Sequence, residues 1–286
     1  MPVPDFKPSA ELYPFASRWF ETSYGRLHYV DEGSGQPILL LHGNPTWSFL
    51  YRNVIARLRD RFRCVAVDYL GFGLSERPSG FAYTPRQHVE VVSQLVRHLD
   101  LSGLVVAGHD WGGPIGLGVA ALDPERVEGL VLGNTWFWPP MLGARLFSRV
   151  MSSHWMQRRI REENYFVERL LPGGIVRKLS AEEMAHYRGV QSTADLRVGV
   201  AEFPRQIVAA ASWLADLQRS VTRDLATKRV LVTYPMRDLG FRAGKVLPRF
   251  RATFRDIEVV ELRHAKHFFL EDESDVVAAS MAARFR

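Results

Sequence analysis

The stretch VVAGHDWGGPIG, residues 105–116, carries an aspartate in a turn spaced to expose a nucleophile. Gly108-His109-Asp110-Trp111-Gly112 has the glycine spacing of a G-x-S-x-G elbow. In such an elbow a strand-to-helix turn lifts the nucleophile above a sheet, and the next backbone N–H forms part of an oxyanion hole. No G-x-S-x-G occurs in the 286 residues, which argues against an ordinary serine hydrolase. An aspartate opening a helix also reads as an N-cap. A cap, however, requires neither the surrounding Gly108, Gly112 and Gly113 nor the partners found downstream. A carboxylate is ionised at neutral pH without a base and suits displacement of a good leaving group from a saturated carbon. The product is an ester on Asp110, and hydrolysing it demands an imidazole, an activated water and an oxyanion hole.

The imidazole is expected on the loop after the last strand, where ELRHAKHFFLED holds His264 and His267. His267 lies deeper in that loop, directly before Phe268-Phe269, and is favoured as the base; His264 is the alternative. An acid must orient the imidazole, and two strand ends are topologically available, after VEGLVLGN and after KRVLVTY. No carboxylate lies between Glu128 and Glu162, so the first strand ends only in Asn134. The segment PMRDLGFRAG after the second supplies Asp238, the one acid between Asp224 and Asp256, although an exposed loop aspartate would look the same.

These residues need a frame that brings strand ends together. SRWFETSYGRLHYVDEG alternates as two strands joined at Ser23-Tyr24-Gly25. PILLLH, RCVAVD, LSGLVVAG and VEGLVLGN are apolar runs of strand length. Between them, residues 47–59, 85–99 and 111–122 carry helical patterns, a rhythm that implies parallel βαβ units. The rhythm breaks over residues 135–217, a helical block rich in Trp, Phe, Met and Arg. It resumes at KRVLVTY, DIEVVEL and a final helix from about Ser274. The reading is a core of residues 1–134 and 218–286, with 135–217 inserted as a cap above the carboxyl ends of the strands, where open α/β sheets bind ligands.

Composition narrows the classes. The net charge of +6 is spread along the chain, and its densest run, QRRIREE, closes on two acids, so nucleic acid is not an expected partner. No apolar run approaches the roughly 20 residues needed to span a bilayer, and MPVPDFKPSAELYPF lacks the pattern of a secretory signal. Cys64 is the single cysteine. A cytoplasmic protein, with no membrane partner, is the expectation. No cluster of His, Cys and carboxylates has metal-ligand spacing, so neither a metal nor an organic cofactor is expected.

HGNPTWSFLYRN, DYLGFGLSERP, GHDWGGP, NYFVERLLPGG and AKHFFLED together make the chain resemble a haloalkane dehalogenase of the α/β-hydrolase fold, over nearly its whole length. The resemblance implies Asp110 as nucleophile, His267 as base and Asp238 as acid, with Trp111 and Asn44 holding the departing halide. An acid after the later strand combined with an asparagine halide donor resembles one branch of that family. The implied substrate is a halogenated alkane, cleaved with water to a primary alcohol and halide; self-association is left open. By the same resemblance Phe203 and Pro204 are pocket candidates, joined by Phe166, Trp138 and Phe268, while Trp136, Phe147 and Trp213 either line the pocket or pack the cap. Two departures stand out: Pro235 in TYPMRD, ahead of Asp238, and His264. The rival enzyme is an epoxide hydrolase, which needs acidic hydroxyls such as Tyr165 or Tyr187 of the cap. A silent, ligand-binding hydrolase fold is the rival outside enzymes, and it predicts a broken triad position.

Overall fold

The computed structural model describes residues 3–285. Eight strands form one sheet in the order β1-β2-β4-β3-β5-β6-β7-β8. The hairpin of β1 (Arg18–Glu21) and β2 (Arg26–Glu32) turns where the alternation predicts, closed by Thr22 Oγ1 donating to Gly25 O at 2.6 Å. β2 runs antiparallel to β4 (Phe62–Val67), and the remaining neighbours are parallel: β3 (Gln36–Leu41), β4, β5 (Leu104–His109), β6 (Val127–Gly133), β7 (Arg229–Pro235) and β8 (Asp256–Leu262).

The apolar runs are continuous because both faces of the sheet are covered. Successive side chains still point to opposite faces. Leu39, Leu41, Val65, Val67 and Val106 join one core with helices α2 (Pro85–His98) and α3 (Gly112–Leu122). Ile38, Leu40, Cys64, Ala66 and Val105 join the other core with α1 (Arg52–Leu58). α2 starts where the sequence indicates, with Thr84 Oγ1 accepting from Gln87 N and Pro85 in the first turn.

After β6 the inserted block holds α4 (Leu142–Met151), α5 (His154–Glu163), a wide turn at Phe166–Leu170 running into α6 (Leu171–Gly173), α7 (Ala181–Gly189), α8 (Val198–Ala209) and α9 (Ala211–Ser220). The boundary expected at residues 217–218 falls inside α9, and that helix packs on α3 of the core. α10 (Ala243–Thr253) crosses between β7 and β8 and was not foreseen. Pro248 in its interior and its basic residues hide the pattern, yet Val246, Leu247 and Phe250 are buried on one side. α11 (Phe269–Asp272) and α12 (Ser274–Arg284) complete the chain, the latter packed on α1. Among the described residues no helix is long and apolar enough to cross a membrane.

The side on which strands are added switches at β3: β4 pairs on one side of it and β5 on the other, all parallel, with Leu41 opposite Gly108. The HGNPT turn after β3 and the elbow after β5 are therefore neighbours at the topological switch point, the crevice where such sheets bind ligands.

The helices between β6 and β7 are tied to the elements around the sheet by a buried ionic cluster. Glu271 of α11 accepts from Arg52 Nη1 at 2.5 Å and Nη2 at 2.8 Å, and also from Arg177 and the Tyr187 hydroxyl of the inserted block. Arg52 in turn reaches Glu183 of α7 at 2.8 Å. Such clusters add little net stability over an apolar packing, but breaking one strands a charge in low dielectric. Glu271→Gln should therefore destabilise the fold by about 3 kcal/mol, read as a lower urea midpoint at unchanged m-value.

Candidate active site

β5 ends at His109, and α3 begins at Gly112, so the chain must turn within Asp110 and Trp111. It does so by placing Asp110 at φ +52°, a left-handed conformation that a non-glycine residue adopts only where its surroundings hold it. Thr135 Oγ1 donates to Asp110 O at 2.6 Å, and Gly113 N donates to the same carbonyl at 3.1 Å. A Cβ at Gly112 would lie 1.9 Å from Leu41 O, so the elbow and the β3 turn touch only because that position is glycine. The aspartate is not a cap: the helix that follows has no side-chain cap bond.

Instead its carboxylate faces the β3 turn. Asn44 N donates to Asp110 Oδ1 at 2.9 Å, and the Trp111 backbone N–H favours the charged form of the carboxylate. A Cβ at Gly43 would sit 2.3 Å from Asp110 Cβ, which fixes glycine there too. The Asn44 amide donates to Val200 O of α8 at 3.2 Å, while its Oδ1 is buried without a partner among the described residues. His42 steadies this turn: Tyr69 N donates to its Nε2 at 3.3 Å, so Nδ1 carries the proton and donates to Gly43 O at 2.9 Å. Burial pushes its pKa down to about 4, keeping the ring neutral.

On the other side of Asp110, His267 presents Nε2 at 3.8 Å from Oδ2. Its Nδ1 lies 2.8 Å from Asp238 Oδ2, and His109 Nε2 holds its backbone carbonyl at 2.9 Å. Asp238 is itself anchored, since Oδ1 accepts from the N–H groups of Gly240 at 2.6 Å and Phe241 at 3.2 Å. Pro235 leaves this loop intact: it closes β7, and Met236 N carries the ladder on to Leu262 O at 3.0 Å. His264 is exposed, its N–H on Glu273.

Sequence reasoning passed over Asn134 as a contributor. At φ +47° after β6, it donates from Nδ2 to Asp238 Oδ2, with the same nitrogen 2.8 Å from His267 Nδ1. The only signal was its position at a strand end where an acid was sought.

The charges interlock. Burial pushes the Asp110 carboxyl above its ordinary value, against the pull of His267 and the two N–H groups. Burial alone would depress His267, but the Asp238 hydrogen bond and the charges of Asp238 and Asp110 outweigh it and hold the imidazole above 6.5. Burial works against ionised Asp238 as well, yet its bonds to His267, Asn134 and Gly240 keep it far below the carboxylate range.

Aromatic rings close the space. Trp111 packs edge-on against Trp136 at 4.8 Å and tilted on Phe203 at 5.3 Å, and Phe241 bridges Trp136 to His267. Phe166 is buried in the same core cluster, and Pro204 O accepts from Ser148 Oγ of α4. Phe268 stacks edge-on beneath His267, in the opposite core cluster. Trp138 packs on Phe137 and Phe250 with the Arg249 guanidinium over its ring, whereas Trp136 meets Trp111. The chain is irregular after β6, and within one core cluster Trp136 and Trp138 meet different ring partners. Tyr187 is spent on Glu271, and Tyr165 lies beneath Arg159. Among the described residues no group of three or more His, Cys, Asp or Glu side chains could hold a metal ion.

Residues 36–274 match the model of the α/β-hydrolase fold. Haloalkane dehalogenase 2 of Mycobacterium tuberculosis is 56% identical across 98% of this chain and 99% of its own. A haloalkane dehalogenase of Sphingobium indicum is 33% identical across 96% of both chains. The crystal structure of an ancestral haloalkane dehalogenase, 28% identical, superposes with a TM-score of 0.84 over 94% of this chain and 98% of that one. With this fold, this elbow and these relatives, the chain belongs to the haloalkane dehalogenase family of α/β-hydrolase-fold enzymes.

Proposed function

We propose that the protein hydrolyses haloalkanes to a primary alcohol and halide through an ester on Asp110. The observation that carries this reading is the division of labour between two carboxylate oxygens. Asp110 Oδ1 takes the N–H of Asn44 at 2.9 Å, while Oδ2 faces His267 Nε2 at 3.8 Å. Oδ2 attacks the halogen-bearing carbon and the carbon–halogen bond breaks, its electron pair leaving on the halide. That ion needs no proton, only donors in a dry enclosure. Trp111 Nε1 supplies one, and Asn44 Nδ2 the other through the N–H that Val200 O does not use.

His267 Nε2 then takes a proton from water, whose oxygen adds to the ester carbonyl carbon. Negative charge collects on Oδ1, to which the Asn44 N–H already donates, with the Trp111 backbone N–H as its neighbour in the elbow. Asp238 balances the imidazolium; on collapse of the adduct the alkoxide takes the imidazolium proton and leaves as the alcohol, and the remaining water proton passes to solvent as the Asp110 carboxylate is restored. Residues 135–217 serve as the cap in this scheme, and the setting is the cytoplasm. The epoxide-opening alternative is not favoured, because the relatives are haloalkane dehalogenases and one of its two candidate cap tyrosines, Tyr187, donates to Glu271.

Since Asp110 attacks without a base, His267→Phe should form the ester but not release it. Mixed with a bromoalkane it should liberate about one bromide per site and gain the alkyl mass on the peptide bearing Asp110; continued turnover would dismiss His267 as the base. Trp111→Phe keeps a ring but loses a charge-assisted donor, so bromide should bind on the order of ten- to a hundredfold more weakly, measured by halide-dependent quenching of fluorescence.

The pH dependence has a definite sign. His267 works as a neutral base and its pKa lies above 6.5, so ester hydrolysis should fade as pH drops through a point above the ordinary imidazole value. In Asp238→Asn the raising partner is gone and burial depresses the ring. Single-turnover hydrolysis should then be slower by about 10²–10⁴-fold, and its acid limb should move to lower pH. A limb left in place would show that Asp238 does not set the basicity of His267.

A further inference from the structure

α4 is mounted with its apolar side outward. Leu142, Leu146 and Val150 are 75%, 56% and 53% exposed, and at spacings of four they form one stripe. Only Ser148 and Met151 of this helix are buried, and Ser148 Oγ fastens it to Pro204 O at 2.7 Å. Phe147 widens the stripe, and Trp155, 65% exposed on α5, continues it. A cluster of large aliphatic and aromatic side chains in water marks a surface that meets something apolar.

The charges around it say what. Residues 129–161 contain no aspartate or glutamate, but they include Arg145, Arg149, Arg158, Arg159 and Arg161. Arg158 and Arg159 are matched by Glu162 and Glu163, one turn on. Arg145 and Arg149 flank the stripe on α4, and among the described residues neither forms an ion pair; Arg145 Nε donates to Pro140 O at 3.0 Å. An aliphatic stripe with an indole near one end and unpaired guanidinium groups along its edge fits an interfacial helix lying in an anionic headgroup layer. A second copy of the chain fits poorly, because a two-fold contact presses a patch against itself, and the unpaired charges beside the stripe, Arg145 and Arg149, are both positive.

We propose that the cap docks on anionic lipid surfaces through α4 and Trp155. The stripe would bury in the acyl boundary, while Arg145 and Arg149 reach the phosphates. Docking of this kind needs no spanning segment, so it is compatible with the absence of one. It does not depend on the reaction proposed above. One consequence does rest on that reading: α8, which carries Val200 and Phe203 against Asn44 and Trp111, lies directly under α4, so docking would bring the site close to where apolar haloalkanes dissolve.

The test is co-sedimentation of the full chain with vesicles of phosphatidylcholine, alone or mixed with phosphatidylglycerol. Binding is expected on the mixed vesicles only, weakening as salt is raised. Arg145→Gln with Arg149→Gln should lower the partition coefficient about thirtyfold, and Leu146→Ser with Val150→Ser and Trp155→Ser should abolish binding. Far-ultraviolet circular dichroism and thermal melting of each variant establish that the fold is kept. Absence of wild-type binding to mixed vesicles, equal binding to neutral ones, or indifference to the substitutions would overturn the proposal. So would a dimer in light scattering that the serine variant converts to monomer, since a second copy would then cover the stripe. No arm measures turnover, so failure here and failure of the dehalogenation reading are separate results.

Discussion

The site depends on one close approach, that of the β3 turn to the β5 elbow. Gly43 and Gly112 let backbone from two strands meet where any side chain would collide, and the approach delivers the Asn44 N–H to Asp110 Oδ1. The sheet order makes this contact unavoidable, because β3 and β5 are hydrogen-bonded neighbours in register to their last residues. Strain at Asp110, with its positive φ, is tolerated because Thr135 and Gly113 hold the elbow carbonyl and Asn44 holds the carboxylate.

Electrostatically the centre is an imidazole between two carboxylates with different lives. Asp238 is secured by two backbone N–H groups, Asn134 and His267, and stays charged. Asp110 has fewer partners, and burial raises its pKa. A carboxylate already stripped of water has less to shed when it attacks carbon. On the proposed reading, these environments suit one acid to orient and the other to react.

Much of this was legible in the chain. The buried strands announce themselves as apolar runs because both sheet faces are covered, and the elbow is visible because its geometry permits only glycine at fixed offsets. His267 and Asp238 followed from asking which loops end on the same sheet edge. What stayed hidden is what depends on tertiary facing. Trp136 and Trp138 are two residues apart in an irregular segment, and nothing local says which ring meets Trp111. α10 carries an internal proline that disguises it, and Asn134 is an ordinary residue until Asp238 folds over it. The outward mounting of α4 is invisible to periodicity, which reports that a helix has two faces but not which one is wet.

The hydrogen bond from Asn44 Nδ2 to Val200 O joins the reaction centre to the inserted helices. On the proposed reading, the same amide grips the product ion, so a backbone oxygen of α8 sets its orientation before substrate arrives. If α8 shifts, the amide is free to rotate and its aim is lost. The cap would then work as a latch on the ion as well as a cover for the substrate. The slow step of a cycle could become the exit of the halide, timed by the looseness of one helix rather than by the making or breaking of a bond to carbon.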